Sequence, residues 1–367
     1  MILNTRIGAV ASVAAAILGL GACGSSSSST TSGSSAAKSG SSAKGTLNGS
    51  GSTLAAPIYQ QWGQNLSSQG LTLNYNPLGS GAGVAALQAG TVDFAGSDPA
   101  MKSSEIQKAK GPVLQFPVAF GAITVAYNLQ GVKAGLKLNG QVIADIYLGK
   151  VKTWNNPEIA NLNPGVKLPS QTITVVHRSD SSGTTKGFTQ FLAAYNPSWA
   201  SAAGKPDKTA KWPTGTGAPK NAGVASAVKQ TPGAIGYVEQ AYALQNGFTT
   251  AAVKNKSGQY VAPTLAATTA AASSAKVPSN LAVSTINAPG ATAYPIVSQT
   301  FVIVYKDMCK AGRSSSQASL AKKFLTYGLG AGQQVEQQLE YASAPAALLS
   351  KMKTQLNTMV CNGQPVS

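Results

Sequence analysis

The chain has 367 residues, with 28 lysine and arginine residues against 11 acidic residues and a formal net charge of +17. The basic residues are scattered singly, without the dense arginine-rich block or aromatic-basic stripe of a nucleic-acid-binding surface, so we expect no nucleic-acid partner. The charge instead predicts solubility and an electric field that favours anions.

The first element in chain order is an export signal. Arg6 precedes an uncharged run from Ile7 to Ala22, which is too short to cross a bilayer comfortably. The junction LGAC, which ends at Cys23, resembles the bacterial lipoprotein box. By that resemblance, residues 1–22 are a signal peptide, and Cys23 becomes the first residue of the mature protein, acylated with palmitate. The alternative is an ordinary secretory signal followed by an incidental cysteine.

The segment after Cys23 is a linker. Residues 24–45 are nearly all serine, glycine, alanine and threonine, and cannot bury enough apolar surface to order themselves. A flexible chain of this length reaches roughly 25 Å. We therefore interpret residues 23–45 as a tether that holds a folded body just off a membrane.

The folded body shows alternating strand and helix patterns, which predict α/β units with largely parallel sheets. A body of this length is sufficient for two domains. The strand-like segments are 71–78, 91–97, 121–129 and 172–178. The helical patterns lie near 55–67, 83–89, 103–109, 141–148 and 185–195.

Two segments resemble each other, since residues 115–129 and 293–306 each contain a proline followed by a long apolar run. If both cross between domains, domain I is discontinuous and consists of residues 46–120 plus 293–367. Domain II is then the insert, residues 121–292. The Ala/Thr/Ser tract at 264–276 lies in this insert and predicts a helix or a loop without site chemistry.

The two remaining cysteines, Cys309 and Cys361, are candidates for a disulfide in an oxidising compartment. A bridge that closes about 50 residues contributes roughly 4 kcal/mol in the chain-entropy model. The alternative is a pair of buried free thiols. Neither cysteine has the C-x-x-C spacing of a redox or zinc site.

Three times, an extended piece leads through glycine, serine and threonine into a helix, at residues 48–59, 77–87 and 178–188. Each such turn brings hydroxyls and backbone amides to a helix N-terminus, which favours an anion. The alternative is ordinary helix capping, which uses the same residue types. No complete nucleotide-binding motif occurs. Convergence of the three turns on one ligand therefore predicts a small anion.

Two acidic residues accompany these turns. Asp98 follows a strand end, and a carboxylate repels an anion unless the anion carries a proton to donate, as monohydrogen phosphate does and sulfate does not. Asp98 is thus a candidate discriminator, with a helix cap before Pro99 as the alternative. Asp180 lies two residues after Arg178 and is interpreted as the partner that orients its guanidinium group.

The one histidine, His177, invites a hydrolase interpretation because hydroxyls follow it closely. Side chains alternate along a strand, so His177 is expected to point away from a cleft that Arg178 faces. No G-x-S-x-G segment surrounds a serine, and no histidine and carboxylate cluster is available for a metal. We therefore expect neither catalysis nor a cofactor.

Eight segments in chain order resemble the phosphate-binding protein family of high-affinity bacterial phosphate importers, which are ABC transporters. The resemblance runs from about residue 46 to LEYASAP at 339–345. The segments are GSGSTLAAPIYQQW, LGSGAGVAAL, VDFAGSDPAM, QFPVAFGAITVAYN, IYLGKVKTWNNPEIANLNPGVKLP, ITVVHRSDSSGTTKGFTQFL, KWPTGTGAPKNAGVASAV and PGAIGYVEQAYA.

The resemblance implies a two-domain, hinged α/β fold of the periplasmic binding-protein type (type II), with phosphate in the interdomain cleft. It assigns Asp98 to the proton of the ligand and Asp180 to pairing with Arg178. Leu54 departs from the phenylalanine of many members, which affects local packing more than the backbone contact. The implied phosphate ligands are Ser52, Thr53, Leu54, Ser80, Asp98, Arg178, Ser182, Gly183 and Thr184.

The expected function is capture of inorganic phosphate outside the cytoplasmic membrane by a lipid-anchored, non-enzymatic, monomeric binding protein. The family's partners are the permease and ATPase subunits of the importer. One alternative is a receptor for another tetrahedral oxyanion such as sulfate. A more distant alternative is an exported phosphate-ester hydrolase.

Overall fold

The structure is a computed structural model that describes residues 44–366. The predicted signal peptide, Cys23 and nearly all of the linker lie outside the described residues. Among residues 44–366, no helix has both the length and the apolar character needed to span a bilayer.

The described residues form fifteen strands and thirteen helices. The strands are β1 Gly45–Gly51, β2 Leu71–Asn76, β3 Phe94–Ser97, β4 Val113–Tyr127, β5 Lys137–Leu138, β6 Thr174–Arg178, β7 Thr216–Ala218, β8 Ala234–Glu239, β9 Thr249–Thr250, β10 Ala252–Lys254, β11 Tyr260–Val261, β12 Val297–Tyr305, β13 Ala342–Ser343, β14 Val360–Cys361 and β15 Gln364–Pro365. The helices are α1 Ala56–Ser67, α2 Ser80–Ala89, α3 Ser103–Ile106, α4 Gly140–Tyr147, α5 Pro157–Ala160, α6 Gly183–Tyr195, α7 Trp199–Ala203, α8 Lys220–Gln230, α9 Gln240–Gln245, α10 Leu265–Ser273, α11 Ser315–Gly328, α12 Gly332–Gln338 and α13 Ala346–Leu356.

One mixed sheet organises the fold, with strand order β2-β1-β3-β12-β4-β8-β6-β7 and with β9 and β13 paired to β4. The pairings of β1 with β2 and β3 are parallel, as are those of β6 with β7 and β8. The central pairings, β12 with β3 and with β4, and β4 with β8, are antiparallel. The prediction of largely parallel sheets thus describes the two ends of the sheet and not its centre.

Strand β4 joins the two halves of this sheet. It pairs with β12 from Val113 to Ala122 and with β8 from Ile123 to Tyr127. We call β2, β1, β3 and β12 the first half of the sheet, and β8, β6 and β7 the second half. All nine residues of β12 are buried, including the polar Ser298, Gln299 and Thr300, because a strand covered on both faces needs no alternation of apolar and polar residues.

Aromatic packing fixes the two helices that matter most for the site. In α1, Trp62 is fully buried, with its ring centroid 5.3 Å from that of Phe324. In α6, Phe188 stacks on Tyr237 of β8 with ring centroids 4.2 Å apart. Each helix N-terminus is therefore held at the carboxyl ends of parallel strands.

Several helices begin earlier than their apolar periodicity predicts. Helix α2 begins at Ser80 after Gly79, whose φ of 100° favours glycine, and α6 begins at Gly183. The hydroxyl-rich turns thus supply the first residues of the helices themselves. The tract at 264–276 contains α10, whose N-terminus is capped by the side chain of Thr264.

Cys309 and Cys361 form a disulfide with Cα atoms 4.8 Å apart. The bridge joins the segment after β12 to β14, away from the carboxyl ends of the parallel strands.

Candidate functional site

The three hydroxyl-rich turns meet at the carboxyl ends of parallel strands in the two halves of the sheet. Ser52 follows β1, Asp98 follows β3, and Arg178 ends β6. Each of the nine predicted phosphate ligands is buried, and the eight that carry a side chain are at most 3% exposed. Brought together are Ser52, Thr53, Leu54, Ser80, Asp98, Arg178, Ser182, Gly183 and Thr184.

Asp98 lies among three hydroxyl groups. Ser52 Oγ donates to its Oδ1, as does Thr300 Oγ1 at 3.0 Å, and Ser80 Oγ lies 3.3 Å from Oδ2. Burial raises the pKa of Asp98 to about 6, against the opposing effects of the Ser52 and Thr300 hydroxyls and the Arg178 charge. The Asp98 carboxyl can therefore exchange a proton with a ligand near neutral pH.

Ser80 joins the two halves of the sheet. Its Oγ accepts hydrogen bonds at 3.2 Å from the amides of Asp98 and Gly183. A side chain at position 183 would place its Cβ 2.4 Å from the Cβ of Asp98, so glycine is required by this close approach. The neighbouring amide of Gly81 donates to Ser181 O at 3.0 Å, which adds a second link between the same two turns.

Arg178 is held from two sides. Its Nε donates to Asp180 Oδ1 at 2.7 Å and its Nη2 donates to Asp180 Oδ2, while Nη1 lies 3.5 Å from Thr184 Oγ1. Burial alone would raise the pKa of Asp180, but the Arg178 guanidinium and the amide of Lys220 outweigh burial and lower it. Asp180 therefore stays ionised and fixes the plane of the guanidinium group.

Asn221 on α8 determines which way the Thr53 hydroxyl can donate. The amide of Glu239 donates to Asn221 Oδ1 at 3.1 Å, so Asn221 Nδ2 faces Thr53 Oγ1 and donates to it at 2.9 Å. Because Thr53 Oγ1 accepts that bond, its own proton is directed elsewhere. The Tyr242 hydroxyl donates to Thr53 O at 2.9 Å and holds the following peptide in place.

Four buried backbone amides at this site have no acceptor within residues 44–366, namely those of Thr53, Leu54, Ser80 and Thr184. Buried N–H groups are almost always paired, so an unpaired cluster indicates donors reserved for a ligand. The neighbouring amides differ, since Ser182 N donates to Lys208 O at 2.8 Å and Gly183 N donates to Ser80. The Ser182 Oγ also accepts from Thr185 N as the cap of α6.

A cavity of about 250 Å³ adjoins this cluster. Asp98 and Gly183 line it together with Lys186, whereas Arg178 and Thr53 do not. The cavity therefore lies beside the cluster of amides and reaches its edge at Asp98.

His177 faces a different environment from Arg178. Its ring stacks on Trp212 with centroids 4.7 Å apart, and its Nδ1 lies 3.1 Å from Arg178 O. Burial lowers the pKa of His177. Within the described part of the chain, no group of three or more His, Cys, Asp or Glu residues is placed to hold a metal ion.

Sequence reasoning missed Thr300, Asn221, Tyr242 and the amide of Ser80. Thr300 and Tyr242 come from segments without a glycine- and hydroxyl-rich turn, and only the pairing of distant strands and helices brings them to the site. Asn221 lies in the first turn of α8 after the glycine- and threonine-rich segment TGTGAP, which was not among the three turns considered. The amide of Ser80 could have been found, because a serine at the first position of a helix also presents an unpaired N–H.

The fold and this site define a protein of the periplasmic binding-protein class. Residues 36–331 match the family model described as a PBP superfamily domain. The structure is similar to PfluDING, a high-affinity periplasmic phosphate-binding protein, with a TM-score of 0.71 at 23% identity over 84% of this chain and 93% of that one. It is also similar to the phosphate-binding protein from Stenotrophomonas maltophilia, with a TM-score of 0.66 at 19% identity over 88% and 100% of the two chains. The predicted type II periplasmic-binding-protein fold is confirmed.

The curated relatives identify the family. The phosphate-binding protein PstS of Pasteurella multocida is 38% identical over 86% of this chain and 91% of its own length. The phosphate-binding protein PstS3 of Mycobacterium bovis is 37% identical over 98% of this chain and 100% of its own length. The chain therefore belongs to the PstS phosphate-binding protein family, and the resemblance read from the sequence motifs is confirmed.

Proposed function

We propose that this chain is an extracytoplasmic solute-binding protein that captures inorganic phosphate and delivers it to the permease of an ABC importer. It acts without catalysis and without a cofactor. The relatives named above are phosphate-binding proteins, which favours phosphate over the sulfate alternative. His177 stacks on Trp212 and is not among the residues gathered at the site, which disfavours the hydrolase alternative.

The observation that carries this proposal is the cluster of four buried amides without an acceptor, those of Thr53, Leu54, Ser80 and Thr184. Converging N–H groups in a site shielded from water bind an oxyanion strongly, because the donors need no reorganisation. Arg178 adds a guanidinium group already oriented by Asp180. We assign the hydroxyls of Ser52, Thr53, Ser80, Ser182 and Thr184 and the carboxyl of Asp98 to the same ligand shell. Gly183 belongs to it through an amide that is shared with Ser80 Oγ.

Asp98 provides the selection for phosphate. A carboxylate surrounded by three hydroxyl donors can accept one further proton, and a monohydrogen phosphate supplies it. Sulfate has no proton at neutral pH and would face the carboxylate with unrelieved repulsion. The site therefore discriminates between two anions of similar size by one hydrogen bond.

We further propose that the two halves of the sheet are two domains that close on the ligand, with domain I at 46–120 plus 293–367 and domain II at 121–292. The contacts Ser80 to Gly183 and Thr53 to Asn221 connect them across the site. The ion pairs Lys102–Asp207 and Lys208–Glu105 connect them farther out. The cavity beside Asp98 is the route by which the anion enters.

The anchor and the partners complete the proposal. Acylation of Cys23 and a tether to about residue 45 would hold a monomeric binding protein on the extracytoplasmic face of the membrane. There it would meet the permease, whose transport is driven by ATPase subunits.

Calorimetric titration with the two anions tests the function. The purified protein, dialysed free of anion, is titrated with phosphate and with sulfate at pH 7.5. We expect one phosphate site and negligible heat from sulfate. Preference for sulfate, or binding of neither anion, would refute the assignment.

A further inference from the structure

Glu239 is a fully buried carboxyl group behind the proposed site. It ends β8, and its Oε2 accepts a hydrogen bond from Ala241 N at 2.9 Å and lies 2.7 Å from the Tyr341 hydroxyl. Its Oε1 has no partner among residues 44–366, and none of the ion pairs found there involves Glu239. A carboxylate in this position would carry an uncompensated buried charge.

The Tyr341 hydroxyl has two hydrogen-bonding neighbours but only one proton, which determines the protonation of Glu239. It lies 2.8 Å from Leu54 O and 2.7 Å from Glu239 Oε2, both hydrogen-bonding distances, but it has a single proton to donate. A peptide carbonyl accepts and never donates, so the Tyr341 proton belongs to Leu54 O. The bond between Tyr341 and Glu239 then requires a proton on the Glu239 carboxyl.

The surroundings favour this neutral form. Burial raises the pKa of Glu239 to about 8, with the Asp98 charge adding to the effect and the amides of Ala241 and Gln240 opposing it. The titratable groups that face Glu239 are Asp98, Tyr242 and Tyr341. Each of them is neutral or negative, so none stabilises a carboxylate by a positive charge. Across the sheet, β4 opposes Glu239 with Ile123, which carries no charge.

Two hydrogen-bonded routes lead from Glu239 to the turn at Thr53 and Leu54. The first passes from the Glu239 carboxyl through the Tyr341 hydroxyl to Leu54 O. The second passes from the Glu239 amide through Asn221 to Thr53 Oγ1. Since chains of hydrogen bonds polarise one another, the protonation of the Glu239 carboxyl affects this turn through the first route. The second route joins the backbone of Glu239 to the same turn.

We propose that Glu239 is a positioning residue that stays protonated at neutral pH, donates through Tyr341 to fix the Thr53–Leu54 turn, and weakens anion binding when it ionises. The inference rests on the proposed function only for its effect on phosphate. Ionisation of Glu239 would place a second buried negative charge near Asp98. It would also remove the hydrogen bond that the protonated carboxyl donates to Tyr341.

The test compares the pH dependence of phosphate affinity in the wild-type protein and in Glu239→Gln between pH 7 and pH 9.5. Glutamine keeps a donor to Tyr341 and cannot ionise. As pH rises, we expect the phosphate affinity of the wild type to fall about tenfold relative to that of the variant. This is the effect of one charge acting over several ångströms at the effective dielectric of a protein interior. The titration of phosphate is common to both proteins and cancels. Parallel pH profiles would overturn the proposal.

Glu336→Gln is the matched control. Glu336 is another buried carboxyl, bonded to Gln333 and outside the proposed site, and burial also raises its pKa. Its variant should retain the wild-type pH profile. A profile flattened by Glu336→Gln as much as by Glu239→Gln would contradict a specific role for Glu239.

Infrared spectroscopy tests the proton directly and does not depend on phosphate. We expect the carbonyl-stretch band of a protonated carboxylic acid at pH 7, lost in Glu239→Gln and lost from the wild type with a midpoint near pH 8. If Glu239→Gln does not fold, the band of Glu336 is identified from its loss in Glu336→Gln. The pH titration of the remaining wild-type band then serves as the test. Absence of such a band would overturn the proposal, whereas failure of phosphate to bind would refute only the proposed function.

Discussion

Two carboxylates on opposite walls of the site have opposite surroundings. Asp98, from the first half of the sheet, contacts three hydroxyl groups, and burial raises its pKa. Asp180, from the second half, pairs with Arg178, which outweighs burial and lowers its pKa. The comparison teaches that a carboxylate in an anion site can serve either as an acceptor for the ligand or as the support of a cation.

The largest expected effect is on selectivity. Asp98→Asn should narrow the affinity gap between phosphate and sulfate by up to roughly 10⁴-fold, because the amide can donate to either anion and no longer repels sulfate. Titration with both anions measures the gap. Asp180→Asn is the contrasting variant. It should weaken the binding of both anions and leave the ratio of the two affinities unchanged. A ratio unchanged in Asp98→Asn would move the discrimination to another residue.

The next effect concerns the guanidinium. Arg178→Ala should weaken phosphate binding by about 2–4 kcal/mol, since charge-assisted hydrogen bonds to the anion are lost. Phosphate titration measures this change, and circular dichroism checks that the fold is retained. Arg313→Ala removes an arginine that pairs with Asp93 outside the site and should leave affinity nearly unchanged. Equal affinities of wild type and Arg178→Ala would rule out a contact between Arg178 and phosphate.

The raised pKa of Asp98 also predicts a pH dependence of stability without phosphate. Between its ordinary pKa of 3.8 and about 6, the folded state binds more protons than the unfolded state. The free energy of unfolding should therefore fall as pH rises through this window, by up to about 3 kcal/mol from this group. Denaturant unfolding at pH 4 and pH 6.5 should show a smaller fall in Asp98→Asn. An identical fall in both proteins would contradict the buried environment of Asp98.

The smallest effect is expected at Asn221. Asn221→Leu removes the donor that orients the Thr53 hydroxyl, so phosphate affinity should fall by about 1 kcal/mol. Asn246→Leu alters an asparagine whose side chain donates to Tyr242 O at the end of α9, and it should have no comparable effect on titration. If both variants bind phosphate as the wild type does, Thr53 needs no orientation by Asn221.

The parts of the site that could be predicted carry local signals. Ser52, Ser80 and Ser182 stand where glycine- and hydroxyl-rich turns meet helices, and such turns are determined by a few neighbouring residues. Thr300 has no such signal, because it lies inside β12 between Gln299 and Phe301, with no glycine-rich turn and no helix start beside it. It reaches Asp98 only because β12 pairs antiparallel with β3, with Phe301 opposite Ser97. That register depends on contacts between residues about 200 positions apart in sequence.

The fold shows the same division. The α1 pattern predicted at 55–67 is observed at Ala56–Ser67, because a proline start and regularly spaced apolar residues define it locally. The antiparallel centre of the sheet was not predicted, because apolar runs such as those of β4 and β12 carry no information on strand direction.

The central claim is that buried amides from both halves of the sheet and the Asp98 carboxyl surround one protonated oxyanion. The most direct measurement is a high-resolution crystal structure of the protein with phosphate. We expect a phosphate oxygen within hydrogen-bonding distance of an Asp98 carboxyl oxygen, and the other oxygens on the amides of Thr53, Leu54, Ser80 and Thr184. Phosphate bound elsewhere, or with Asp98 turned away from it, would contradict the account.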